Sequence, residues 1–381
     1  MMLPLVSSGI VIQSGMELPL PDTEAGPDAR DRLATLDLPG GGFGKLAEAV
    51  EFAAATQYTA IPRPWQAVRV LLLAGRHAGG AAAGVADPAE ADRRLAQVEA
   101  GEGALSRLAG EAGADIVVVR VPESGAMEDG PVLDADTVEA ALRQGWQLAE
   151  QAAEDGKDAL VLGACGVGTD AVATAVVAAT TGAEPASMLP RVLAPGGDYD
   201  DASWMVRCAA VRDAMHRIRQ EPRGAKDILA QIGGADLAVA TGALIGATAR
   251  RIPVLLDGPV GIAAGLIARD LAGQSRHWCL LPDAGAQALV RQGADVLGLT
   301  PVVELGLDLG EGVNALATLP LLRAAIGLAA ALPVHPALPA EPGDAELIEA
   351  IDLIVPNDSD EDFAEPEPDG PGPARTDRSD A

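Results

Sequence analysis

Four short, nearly unbroken apolar runs punctuate the chain. They are VRVLLLAG at 68–75, DIVVVRV at 115–121, DALVLG at 158–163 and PVLLDG at 253–258. Runs this short, without polar alternation, predict strands buried on both faces. Weaker strand candidates lie at 277–281 and 302–307. Between these segments apolar residues recur at helical spacing, over 46–56, 88–109, 134–155, 171–181, 200–219, 225–232, 237–250, 263–271 and 286–292. Asp87 before Pro88 has the form of an N-cap and first helical position. Gly233-Gly234 has the form of a C-cap. Strands alternating with helices imply right-handed crossovers and an α/β fold, with a doubly wound, mostly parallel sheet and helices on both faces. In such sheets ligands bind beyond the carboxyl ends of the strands, which points to the loops after Leu73, Leu162 and Leu256.

The ends of the chain read differently. Residues 1–30 are Pro-rich and predict an irregular extension; an α/β region follows over 31–355. The stretch 356–381 holds nine acidic residues, two Arg and one large apolar residue, Phe363. Such a segment cannot offset its ordering entropy and predicts a disordered acidic tail. The N-terminus has no basic n-region, so a signal peptide is not expected. No window approaches the roughly 20 uninterrupted apolar residues of a membrane span. The expectation is a soluble, cytoplasmic protein.

Composition narrows the function. The 381 residues are 49% hydrophobic and only 2% aromatic, with 44 Gly. The core must therefore be Ala, Val, Leu and Ile packed closely through small residues. A net charge of −28 argues against a nucleic-acid partner and against an anionic membrane surface. Cys165, Cys208 and Cys279 make no disulfide framework, and His77, His216, His277 and His335 show no metal-ligand spacing. His77 reads as a loop or core histidine.

Two glycine-rich stretches carry candidate chemistry. LPGGGFGK at 38–45 precedes a helix and could cradle a phosphate, although it lacks the ending of a P-loop. DLGEGVNAL at 308–316 places Glu311 between two glycines, ahead of an apolar run at 316–332. Glycine allows close backbone approach, and a helix beginning there would aim free N–H groups at an anion. Glu311 is then either a carboxylate beside an oxyanion or phosphate pocket, or a solvated residue in a turn.

Taken in order, LPGGGFGKL at 38–46, VLLLAGRHAG at 70–79, the block 160–185, DDASWMVRCAAVRDA at 200–214, IGGADLAVATGALIGAT at 232–248, IPVLLDG at 252–258 and LDLGEGVNALA at 307–317 form a set. This set resembles the nicotinate-nucleotide–dimethylbenzimidazole phosphoribosyltransferase family, from about residue 30 to about residue 332. The resemblance implies a doubly wound α/β domain, a smaller helical domain built from both chain ends, and a homodimer. It implies transfer of phosphoribose from nicotinate mononucleotide to 5,6-dimethylbenzimidazole, in the synthesis of the cobalamin lower ligand, with no metal or redox cofactor. The family's general base matches Glu311. Nucleotide and base contacts match Gly168, Thr169, Asp170, Arg207, Asp257, Gly258, Gly310, Gly312, Val313 and Asn314. For Thr169 and Asp170 the local alternative is helix N-capping; for Arg207 it is a solvated helix face.

The chain departs from the family's pattern around this site. Ala164 stands in place of an acid, and Gly168-Thr169-Asp170-Ala171 replaces a Gly-Asn-Thr-Thr-like run. Arg207 stands for a Lys, Asp308 for an Arg, and Val313-Asn314 for a Ser/Thr-Gly pair. The loop Pro282-Asp283-Ala284-Gly285 lacks the family's His, Ser and Glu. Three readings follow: the family's transferase, a catalytically impaired homologue acting as a nucleotide-binding or regulatory protein, or an enzyme of another nucleotide reaction.

Overall fold

A computed structural model describes residues 10–84, 89–194, 196–221, 224–310 and 312–338. One compact unit is Met1–Pro333 and a second is Val334–Ala381. The acidic tail, Glu311 and the Asp87-Pro88 pair lie outside the described residues.

Six parallel strands form one sheet: β1 (Val68–Ala74), β2 (Asp115–Arg120), β3 (Ala159–Ala164), β4 (Val254–Leu256), β5 (Cys279–Asp283) and β6 (Pro301–Val303). Their order is β2-β1-β3-β4-β5-β6. The helices, in chain order, are α1 (Ala25–Leu33), α2 (Ala47–Gln57), α3 (Ala89–Glu99), α4 (Gly103–Ala112), α5 (Ala135–Glu154), α6 (Thr169–Thr181) and α7 (Pro185–Met188). They continue as α8 (Asp201–Arg217), α9 (Ala225–Ile228), α10 (Gly234–Ala249), α11 (Gly258–Leu271), α12 (Ala288–Leu297) and α13 (Val313–Ala331).

Two core layers explain the unbroken apolar runs. Leu71 and Leu73 of β1 enter one layer with α5, α6, α10 and α11. Val70 and Leu72 enter the other with α2, α4 and α13. Every residue of β1 is buried. The sheet is thus doubly wound, and its order reverses at β1 and β3, where such folds place a ligand crevice beyond the carboxyl ends.

The chain ends meet on one face of the sheet. Arg32 of α1 donates to the Leu332 carbonyl at 3.0 Å, and α2 packs on α13. These helices belong to the same compact unit as the sheet, and so form a cap on it and not a separate globule. The N-terminal extension is also tied down: Ile12 is buried, and Trp278 Nε1 donates to Pro19 O at 2.8 Å. Regular structure begins at Ala25, earlier than the expected border at residue 31.

Several boundaries differ from expectation for local reasons. The pattern over 88–109 divides into α3 and α4 because Gly101 and Gly103 both take positive φ, +75° and +80°. Gly233-Gly234 does end a helix, as expected: a π-helical turn over Leu229–Gly233 extends α9 to that point, Gly234 caps it at φ +83°, ψ 176°, and α10 begins at once, with Gly234 pressed against His77 and Ser124. Among the described residues, two helical segments, Ala225–Ala249 and Val313–Ala331, are long and apolar enough on average to cross a membrane, though polar residues interrupt both. Their apolar windows are 89% and 56% buried in the fold, against α5 and against the sheet respectively.

The contact between α5 and α10 shows what the aromatic-poor composition achieves. A Cβ on Gly145 would lie 2.0 Å from Val239 O, and one on Gly242 would lie 2.0 Å from Leu142 O. The two backbones touch, and any side chain there must separate them. Gly242→Ala should therefore lower the unfolding free energy by about 3 kcal/mol, read by denaturant titration. Gly110→Ala, in α4 with open space around it, should raise it by about 0.5–1 kcal/mol.

Candidate active site

A cavity of about 820 Å³ opens at the carboxyl ends of β3, β4 and β5. Eight of the residues singled out from the sequence line it. Thr169 and Asp170 come from the start of α6, Arg207 from α8, Asp257 and Gly258 from the end of β4, and Gly310, Gly312 and Asn314 from the loop into α13. Gly168 lies at the N-cap of α6, pressed on Ala81. Val313 is fully buried in the core layer with α2, which leaves it no route to a ligand. Glu311 lies outside the described residues, between two that line the cavity.

The loop before α13 is fastened by side chains. Asp283, at the end of β5, accepts from the Leu305 N–H at 2.8 Å and the Leu307 N–H at 3.2 Å. Asp257, at the end of β4, accepts from Asn314 Nδ2 at 3.2 Å and from the Ala315 N–H at 2.9 Å. Asn314 Oδ1 in turn accepts from the Leu309 N–H at 3.1 Å. The Val313 N–H donates to Gly310 O at 2.8 Å and closes the chain around position 311. Gly312 sits at φ +82°, ψ 4°, which is the third-residue geometry of a type II turn and needs glycine. The expected strand at 302–307 stops at Val303 for the same reason: the amides beyond it are committed to Asp283 and not to a ladder.

One expectation is overturned. The positive end of α13 does not face an open anion site, because the Asp257 carboxylate already takes the Ala315 amide in its first turn. Burial pushes the Asp257 carboxyl up to about 6; its hydrogen bonds from Ala315 and Asn314 oppose the rise, and the charge of Asp283 adds to it. The other glycine-rich stretch is no cradle either. Gly40–44 line no part of the cavity, and Lys45 pairs with Glu304 at 2.6 Å.

Charge in the cavity centres on α6 and α8. Arg207 is buried, and its Nε donates to Ala83 O at 2.7 Å. Burial lowers its pKa, while Asp170 and Asp200 act against that. Burial pushes the Asp170 carboxyl up; Arg207 opposes this and Asp308 adds to it. Arg191, also on the wall, lies over the Trp204 ring at 4.0 Å and pairs with Asp201. His77 is buried and is not part of the cavity lining; its Nε2 lies 3.1 Å from Asp236 Oδ2. The sequence reading missed Asp283 because it looked in that loop for other groups. The signal was present: CLLPD ends in an acid just as PVLLD does.

A family described as "Phosphoribosyltransferase" matches residues 18–334. Nicotinate-nucleotide–dimethylbenzimidazole phosphoribosyltransferase of Streptomyces avermitilis is 35% identical over 334 residues, covering 82% of this chain and 88% of that protein. Its namesake from Mycobacterium tuberculosis is 34% identical over 325 residues, covering 80% and 89%. A crystal structure of the Thermus thermophilus protein of the same name superposes with a TM-score of 0.73 at 24% identity, covering 82% of this chain and 97% of that one. The fold, the loop that carries position 311 and these relatives agree: the chain belongs to the nicotinate-nucleotide–dimethylbenzimidazole phosphoribosyltransferase family.

Proposed function

We propose that the protein transfers phosphoribose from nicotinate mononucleotide to 5,6-dimethylbenzimidazole or a related base, giving α-ribazole 5′-phosphate and nicotinate for the cobalamin lower ligand. One observation supports this reading above others: Gly310 and Gly312, the neighbours of the residue that matches the family's base, line the cavity beyond the strand ends. One ring nitrogen of the benzimidazole attacks C1′ of the ribose as the bond to nicotinate breaks, with inversion. The bonding pair leaves with the pyridinium nitrogen, so nicotinate departs with a neutral ring and needs no acid. The other benzimidazole nitrogen loses its proton to Glu311. The remaining work is alignment and charge balance.

Arg207 is the buried cation available to the 5′-phosphate. Asp170 opposes a dianion only when ionised, and its buried setting favours the neutral form. The approach of a phosphate favours that form further. A second reading, a nucleotide-binding or regulatory protein without turnover, draws on the same pair, since an ionised Asp170 would neutralise Arg207. Following the resemblance, we read the protein as a cytoplasmic homodimer. Light scattering should give twice the 38.6 kDa of one chain.

Purified protein given nicotinate mononucleotide and dimethylbenzimidazole should release nicotinate. Glu311→Gln should lower that rate at least about 100-fold with an unchanged circular dichroism spectrum. Nucleotide binding without release, over a panel of benzimidazoles and purines, would establish the second reading instead. Arg207→Ala should raise KM for the nucleotide by about 10- to 100-fold, whereas Asp170→Asn should leave it equal or lower.

Asp257 gives a pH signature. Its folded-state pKa is about 6 against an ordinary 3.8, so the stability it contributes is present below that lower value and lost as pH rises through 6. Two pKa units correspond to about 3 kcal/mol. Over this window the stability of Asp257→Asn relative to wild type should rise by that order, measured by denaturant titration at a series of pH values.

A further inference from the structure

We propose that Asn314 is a positioning residue for the general base, its amide holding together the two ends of the segment that carries Glu311. The inference rests on the general-base reading above.

Asn314 is the second residue of α13 and is buried. Asparagine is a weak helix former, and a buried amide is costly unless both of its ends are paired. The usual reason for Asn at a helix start is capping, with its oxygen accepting a helix N–H. Here Asn314 lies past the N-cap, which is Gly312, and the first-turn amide of Ala315 is taken by Asp257. The Asn314 oxygen faces backward, to Leu309 N–H, which precedes the helix. The residue therefore links and does not cap.

Its orientation is dictated from both sides. An ionised Asp257 can only accept, so it draws the Asn314 NH2 group. Leu309 N–H can only donate, so it draws the oxygen. The resulting chain, Asp257 to Asn314 to Leu309, spans position 311 from outside. Inside it, the Val313-to-Gly310 bond closes a smaller ring. Asp283 anchors the approach to this double loop through Leu305 and Leu307. Two concentric closures fix the residues on either side of position 311 to one another. A general base gains from that, because it must meet one proton at one ring nitrogen.

The test compares kinetics with amide exchange. Asn314→Ala should lower kcat by about 100-fold while KM for both substrates stays within about twofold. Exchange of the Leu309 amide should quicken, while that of Leu305, held by Asp283, should keep its wild-type rate. Asn314→Asp covers the case in which the alanine variant folds poorly. It sets a second carboxyl against Asp257, so the link re-forms only when the pair holds a proton. Its rate relative to wild type should rise about tenfold between about pH 8 and about pH 5.5. The double variant Asn314→Ala/Asp257→Asn should lose little beyond the worse single variant.

A rise in KM with kcat retained would overturn the proposal and make Asn314 a substrate contact. Wild-type kcat in Asn314→Ala, or equal quickening at Leu305 and Leu309, would overturn it in favour of a purely structural role. Absence of nicotinate release by the wild-type protein would sink the general-base reading, and with it the catalytic purpose of the link; the exchange pattern then reports on the link alone.

Discussion

A carboxylate taken out of water must find donors, and this sheet ends two neighbouring strands in one. Asp257 closes β4 and Asp283 closes β5, and both are buried. Unpaired, either would cost several kcal/mol. The donors that satisfy them all come from one stretch, residues 305–315. The chain leaving β6 therefore has to run across the tops of β5 and β4 before α13 can start. The cavity wall, the shortness of β6, the phase of α13 and the place of Gly310 and Gly312 all follow from satisfying two charges.

The same requirement shapes the electrostatics of the cleft. A helix N-terminus is a ready anion site, but at α13 the protein has filled it with its own Asp257. On the proposed reading the nucleotide's phosphate is left to the start of α6 and the guanidinium of Arg207, whose charges Asp170 influences. In a chain with net charge −28, a buried cation is set apart from its surroundings. An anion gains there only by displacing the influence of a carboxyl that burial already inclines toward protonation.

The sheet was legible because parallel strands buried on both faces leave a plain signal, as in Val68–Ala74. The break between α3 and α4 was not, since Ala and charged residues keep helical spacing across Gly101 and Gly103 and only backbone dihedrals reveal the stop. At the site, Asp257 was visible as an acid ending an apolar run. Its partners were not, because they lie 57 and 58 residues away in sequence and depend on how α13 is set down. Val313 and Asn314 looked equivalent as neighbours of a glycine. The first turn of a helix separates them, sending one into the core and the other toward Asp257. The run at 40–44 looked like a phosphate loop because composition cannot say what a loop will meet: the adjoining Lys45 is held by Glu304.

The seam between α5 and α10 has a consequence for how such a chain can change over time. Where side chains interlock, one residue can shrink while its neighbour grows, and sequence drifts by small trades. At Gly145 and Gly242 backbone meets carbonyl oxygen directly, so there is nothing to trade. The seam admits no gradual route to another sequence. Variation is channelled instead to the loops at the strand ends, the part of the molecule where a new residue alters what is bound before it alters whether the protein folds.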